Sequence, residues 1–193
     1  MNDALDVKNR KSLQRQELRN RRKNLSSAYR KAGSQKICRR LKSLIRRNHK
    51  VAVYRAVGSE VDLSLWIEMA QKHRMQVFEP YIHQNQRRLW FIPYGENPHR
   101  HVSKKRIEDM SIALIPLIGI DSKGFRMGQG GGFYDTSLSY AKFRKPKTVG
   151  IGFACQMVEN IETEAHDLPL DAFVCEDKVC IFDKLKKQCL GFL

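Results

Sequence analysis

No apolar run in this 193-residue sequence approaches the roughly 20 residues that a membrane-crossing helix needs. The longest runs, such as IALIPLIGI at 112–120, are far shorter, so no membrane association is expected. The opening MNDALDVKNRK lacks the apolar segment of a secretory leader. Five cysteines, at 38, 155, 175, 180 and 189, include no C-x-x-C pair, and their odd number and irregular spacing argue against a disulfide framework or a zinc site. Free thiols in a reducing cytoplasm are the plainer reading. Acids are scarce in one region only. Residues 1–50 carry 17 Lys and Arg against Asp3, Asp6 and Glu17, a net of +14, whereas the remaining 143 carry 19 against 17, a net of +2. The overall +16 therefore belongs to an N-terminal arm, which should attract nucleic acid, phospholipid headgroups, or the phosphates and carboxylates of a small molecule. The arm has no RNP pattern, zinc-knuckle spacing or aromatic–basic stripe, which weighs against a nucleic-acid-binding protein.

Hydrophobic residues make up 41% of the chain, enough for a real core. VKNRKSLQRQELRNRRKNL (7–25) has no Pro or Gly and predicts a helix. Lys8, Lys11, Arg15, Arg19 and Arg22 share one face of it, beside a narrow apolar edge of Val7, Leu18 and Leu25. For most of these cations a solvated basic face is the ordinary explanation. Ser26 or Ser27 is placed to cap a second helix running to about residue 48, weakened by Gly33. From Lys50 the texture changes: strand 50–54, amphipathic helix 62–74 and strand 75–80 make a β-α-β unit and favour a parallel sheet. Further strands are expected at 88–94, 112–116, 147–154, 171–176 and 179–182, with a polar loop or lid at 95–109 and a helix over 136–143. Trp66 and Trp90 read as buried on their elements. The expectation is a three-layer α/β domain spanning 1–193, with 1–48 a basic two-helix arm packed on it.

RMGQGGGFYDTSL (126–138) places four glycines between a strand and a helix N-terminus, where parallel α/β sheets bind ligands. Glycines let backbone N–H groups approach an anion, and the helix terminus adds positive potential. Arg126 can add a fixed charge, and Asp135 is a residue type suited to Mg²⁺. The Walker A pattern is absent, and G-x-G-x-x-G is broken by Phe133. Residue chemistry alone leaves a phosphate-binding loop and a ligand-free turn both open.

Taken together, the residues resemble the 5-formyltetrahydrofolate cyclo-ligase (5,10-methenyltetrahydrofolate synthetase) family. The likeness rests on Asp121, Gly124 and the run Arg126 to Asp135, with VAVYRAVGSEVDLSLW (51–66), FEPY (78–81), VGIGFACQ (149–156) and HDLPLDAFVCE (166–176). It implies a single Rossmann-like α/β domain and an ATP- and Mg²⁺-dependent reaction that turns 5-formyltetrahydrofolate into 5,10-methenyltetrahydrofolate, ADP and phosphate. The resemblance carries Lys11, Arg15, Arg126, Met127, Gly128, Gln129, Gly130, Gly131, Gly132, Phe133 and Tyr134 to the ATP phosphates. Gln129 to Phe133 also face the folate, with Arg55 and Glu60, and Asp135 and Asp167 fall on the Mg²⁺ positions. Gln14 stands where the family usually has Leu, and a one-residue slip would put Arg10 and Gln14 in place of Lys11 and Arg15. Thr136 stands where an Arg often follows the Asp, and 95–109 matches poorly. His166 reads as structural. A non-catalytic folate-binding relative is the other reading of the same fold. The expected ligands are ATP and 5-formyltetrahydrofolate, with or without a polyglutamate tail, bound by a cytoplasmic monomer. A transit peptide is disfavoured because Lys11 would leave no removable segment before it.

Overall fold

The computed structural model describes residues 2–83, 86–98, 101–141, 145–164 and 167–182, with side chains from residue 9 onward. The side chains of Val7 and Lys8, the expected helix residues 142–143, His166 and Cys189 lie outside the described residues. Good helix formers without Pro or Gly give one unbroken helix, α1 (Asn2–Lys23). The Ser26 hydroxyl accepts a hydrogen bond from the Tyr29 amide and caps α2 (Ser27–Arg40). The helix tightens into a 3₁₀ turn at Leu41–Leu44 and stops short of residue 48, because the chain must reverse through the left-handed Asn48 to enter the sheet. Gly33 does not break α2; a side chain there would meet the Phe153 ring at 2.9 Å, so the glycine permits close packing.

The sheet elements follow as β1 (Lys50–Ala52), α3 (Ser64–Lys72), β2 (Gln76–Tyr81), β3 (Trp90–Pro93) and β4 (Ile112–Pro116). A short antiparallel pair, β5 (Gly119–Ile120) and β6 (Arg126–Met127), lies between β4 and the glycine bend, where no strand is expected from the sequence. Then come α4 (Phe133–Tyr140), β7 (Lys147–Ile151), β8 (Ala172–Val174) and β9 (Val179–Ile181). The seven-stranded order is β3-β2-β1-β4-β7-β8-β9. The five central strands run parallel, and the edge strands β3 and β9 pair antiparallel. The expected mostly parallel α/β sheet is thus observed. α4 starts at Phe133, directly on the last glycine of the cluster.

Side chains alternate across the strands and build a core on each face of the sheet. Ile112 and Leu114 of β4 join one apolar cluster with Ile37, Leu41 and the fully buried Trp66; Ala113 and Ile115 join the other with Phe91, Leu138 and Phe173. Trp90 is half-buried, with the Arg106 guanidinium stacked on its ring. α1 lies against the end of the sheet through Leu18, 1% exposed, which packs on Ile118, Met127 and Ile161. Burial of one such leucine stabilises by roughly 1.5–3 kcal/mol. From β1 the chain crosses to β2, and from β4 it crosses the other way to β7. The carboxyl ends of β1 and β4 therefore flank the point where the strand order reverses, the crevice where such sheets bind ligands.

Candidate nucleotide and folate site

The glycine bend is exposed from Gly128 to Gly132. Gly130 (φ 103°) and Gly132 (φ 64°) hold left-handed conformations that a side chain resists. Gly132 is the N-cap of α4 and offers no side-chain cap, so the first amides of that helix remain available to an anion. A Cβ at Gly128 would meet nothing within 4 Å.

α1 delivers its cations to this bend. Arg15 Nε donates to the Gly128 carbonyl at 3.0 Å, and Arg19 Nη2 donates to Gln129 Oε1 at 2.7 Å. Burial and the neighbouring Arg19 lower the Arg15 pKa. Lys11 Nζ donates to Glu164 Oε1 at 3.1 Å and lies 3.6 Å from Asp167 Oδ2. Arg10 and Gln14 point elsewhere, to Glu162 Oε1 and to the Asn160 carbonyl. Of the cations in the two alternative registers, Arg15 reaches the bend, whereas Lys11 reaches Glu164 and Asp167. The basic face read as mostly solvated is instead turned onto the protein along its described length, with Lys11, Arg15, Arg19 and Arg22 each bonded to a residue outside α1.

Arg126 is 3% exposed in its side chain; Nη2 donates to Asp135 Oδ1 at 2.7 Å and Nη1 to the Leu168 carbonyl at 3.2 Å. It thereby draws Asp135 and the residue after Asp167 to one side of the bend. Among the described residues no group of three or more His, Cys, Asp or Glu is assembled to hold a metal. Asp135 Oδ1 is held by Arg126, and Asp167 Oδ2 accepts from the Glu164 amide at 2.8 Å and lies 3.6 Å from Lys11 Nζ. Met127 is buried under the bend with Leu18, and Phe133 packs on the sheet below. The Tyr134 hydroxyl is buried with no hydrogen-bond partner among the described residues, and that burial raises its pKa well beyond the ordinary range.

Beside the bend, at the carboxyl end of β1, a cavity of about 430 Å³ is lined by Tyr54, Arg55, Gly58, Glu60, Asp62 and Tyr94. Arg55 and Glu60 both line it. Arg55 grips Glu79 with two donors, Nη2 to Oε1 at 2.8 Å and Nε to Oε2, and lies 4.7 Å over the Tyr94 ring. The hydrogen bond to Glu79 raises the Arg55 pKa. Glu60 Oε2 accepts from the Val57 amide at 3.1 Å, and Oε1 accepts from Gln129 Nε2 at 3.3 Å. Gln129 is thus the side chain that joins the bend to this cavity. A second cavity, about 590 Å³, adjoins Leu168 and is walled by Leu138, Pro169 and Phe182. Sequence reasoning missed Arg19, Arg22, Glu79 and Tyr94; only the four-residue spacing from Lys11 through Arg15 to Arg19 hinted at the first.

Among the described residues no helix is long and apolar enough to cross a membrane. Cys38, Cys155, Cys175 and Cys180 are free thiols, and burial pushes Cys38 up to about 11.

The chain is 30% identical over 145 residues to the 5-formyltetrahydrofolate cyclo-ligase of Escherichia coli K12, covering 68% of this chain and 80% of that one. It is 28% identical over 178 residues to the enzyme of the same name from Haemophilus influenzae, covering 81% and 92%. Among solved structures, the 5,10-methenyltetrahydrofolate synthetase of Aquifex aeolicus superposes with a TM-score of 0.76 at 26% identity over 90% of this chain and 93% of the other. The Mycoplasma pneumoniae synthetase shares the fold, with a TM-score of 0.75 at 22% identity, covering 86% of this chain and 99% of that one. With the family pattern matched over residues 7–176, this chain belongs to the 5-formyltetrahydrofolate cyclo-ligase family, a family of ligases.

Proposed function

We propose that the protein converts 5-formyltetrahydrofolate and ATP to 5,10-methenyltetrahydrofolate, ADP and phosphate, with Mg²⁺ as cofactor. The observation that carries this reading is the junction of an exposed glycine bend, contacted by Arg15 of α1, with the Arg55–Glu60 cavity through the Gln129–Glu60 hydrogen bond. Family membership gives the substrate class. The N5-formyl group is an amide, and its oxygen is too poor a leaving group for N10 to expel. In the reaction the formyl oxygen attacks the γ-phosphorus and ADP departs. N10 then attacks the formyl carbon and loses its proton, and the C–O bond breaks to release phosphate. Such transfers need positioning and charge neutralisation, with no protein nucleophile.

The residues divide this work. Backbone amides of Gly128–Gly132 and the α4 terminus bind the phosphates, and Lys11, Arg15 and Arg126 neutralise their charge. Asp135 and Asp167 would hold Mg²⁺, which supplies charge stabilisation on the phosphoryl oxygens. On binding, phosphates take Arg126 and Lys11 from these two carboxylates and so free them for the ion. Glu60 accepts hydrogen bonds from the amino edge of the pterin, and Gln129 stands between the two substrates. Purified protein given both substrates should produce the near-ultraviolet absorbance of the methenyl product together with ADP. Absence of both products ends the reading, whereas folate binding without turnover identifies a non-catalytic relative.

A further inference from the structure

Arg22 has no part in the division of labour above, yet it is 7% exposed, which is rare for an arginine without partners. Its Nε donates to Ser59 Oγ at 3.1 Å, and Nη1 donates to the Leu117 carbonyl at 3.3 Å and lies 4.0 Å from Glu60 Oε1. These contacts tie α1 to the turn after β1 and to the strand end before the glycine bend. The same Glu60 oxygen accepts from Gln129, which in turn accepts from Arg19. Arg19 and Arg22 are one turn apart on α1, so Arg19–Gln129–Glu60–Arg22 closes into a ring across both ligand sides.

We infer that Arg22 is a positioning residue for folate: it fixes the turn carrying Ser59 and Glu60, and so sets the Glu60 carboxylate in the wall of the 430 Å³ cavity. The inference rests on the proposed function, because it takes Glu60 as the pterin acceptor. Arg22 is engaged by Ser59 and the Leu117 carbonyl and acts through Glu60. Its planar fork reaches Ser59 and Leu117 while its charge faces Glu60. Lysine keeps the charge but not that divergent pair of bonds, and methionine keeps only the bulk. Desolvation lowers the Arg22 pKa while Glu60 raises it, and a guanidinium in that balance remains charged at neutral pH. The helix that presents Lys11 and Arg15 to the nucleotide thereby also supports folate recognition.

The test compares the full-length chain with Arg22→Met, Arg22→Lys and the milder Ser59→Ala. Calorimetry measures 5-formyltetrahydrofolate and ATP binding separately, and kinetics give KM and kcat for each substrate. Arg22→Met should weaken folate binding about tenfold and raise the folate KM in step, with nucleotide affinity and kcat held within about twofold. Arg22→Lys should recover part of the loss, and Ser59→Ala should show a smaller loss in the same direction. Unchanged folate binding overturns the assignment. So does equal weakening of both ligands with a lowered melting midpoint, which marks a merely structural role. If Arg22→Met does not fold, Arg22→Lys and Ser59→Ala decide by the same criteria. A wild-type chain that binds nucleotide but not folate removes the proposed function itself, and this inference with it.

Discussion

Arg126 and Asp135 form an ion pair at 2.7 Å in which the guanidinium is almost wholly enclosed and the carboxylate partly open. The two residues were expected to face different ligands, phosphate and Mg²⁺, and here they satisfy each other. Replacing Asp135 by Ala leaves the Arg126 charge with the Leu168 carbonyl alone and should lower stability by about 1–3 kcal/mol. Asp135→Asn keeps the size and an acceptor oxygen, so its melting midpoint should stay nearer to that of the parent. Both variants should lose Mg-ATP turnover by a factor of about 100 or more, the scale for removing charge stabilisation in a transition state. Calorimetric melting with coupled ADP release separates the two effects. An active Asp135→Asn chain removes this residue from the metal site.

Arg15 and Arg10 offer a matched comparison on one helix. Arg15 faces the Gly128 carbonyl at the bend, whereas Arg10 makes an exposed pair with Glu162. Loss of a charge-assisted phosphate contact costs about 1.5–3 kcal/mol, and loss of an exposed ion pair no more than about 1. Arg15→Ala should therefore raise the KM for ATP roughly tenfold or more, and Arg10→Ala should leave it within about twofold. Steady-state kinetics with ATP varied is the measurement. The reverse order of effects would mean that the helix reads one residue out of register.

Local signals made the core of this fold legible, and non-local ones hid the rest. Short apolar runs marked β1, β2 and β4, an amphipathic pattern marked α3, and the glycine run marked the bend, because each depends on neighbours in sequence. The β5–β6 pair escaped notice because two-residue strands carry no period. The end of α2 was misplaced because the turn at Asn48 is set by where β1 enters the sheet. Arg22 looked like the edge of a solvated stripe, since its partners Ser59 and Leu117 lie far along the chain. Pairings of that kind appear only once the strand order has brought the carboxyl ends of β1 and β4 side by side.

Two glycines of the bend should respond to alanine in opposite ways. Gly132 has φ 64° and space around it, so Gly132→Ala should lower stability by about 1–2 kcal/mol through backbone strain alone. Gly128 has no positive φ and nothing within 4 Å of an added Cβ, so Gly128→Ala should melt like the parent. Its new methyl group nonetheless enters the exposed bend and should raise the KM for ATP. A Gly128→Ala chain with unchanged nucleotide affinity would show that the phosphates do not lie against this backbone.

At the other end of α2, the Tyr29 hydroxyl donates to Glu176 Oε1 at 2.8 Å, while Oε2 of the same carboxylate accepts from the Ala154 amide at 2.9 Å. The bond to Glu176, with burial second, pushes the Tyr29 phenol up to about 12 from an unfolded value of about 10. Between those values the folded chain holds a proton that the unfolded chain has lost. The contribution is therefore complete below pH 10 and disappears as pH rises toward 12. Tyr29 is 44% exposed, so solvent screens the effect and only its direction is expected to stand out. Urea midpoints for the parent and Tyr29→Phe, taken from pH 8 to pH 12, should be separated at the lower end and converge toward the upper end. Effects common to both chains cancel in the difference. Curves that stay parallel throughout would mean that the hydroxyl and the Glu176 carboxylate do not share this proton in the folded molecule.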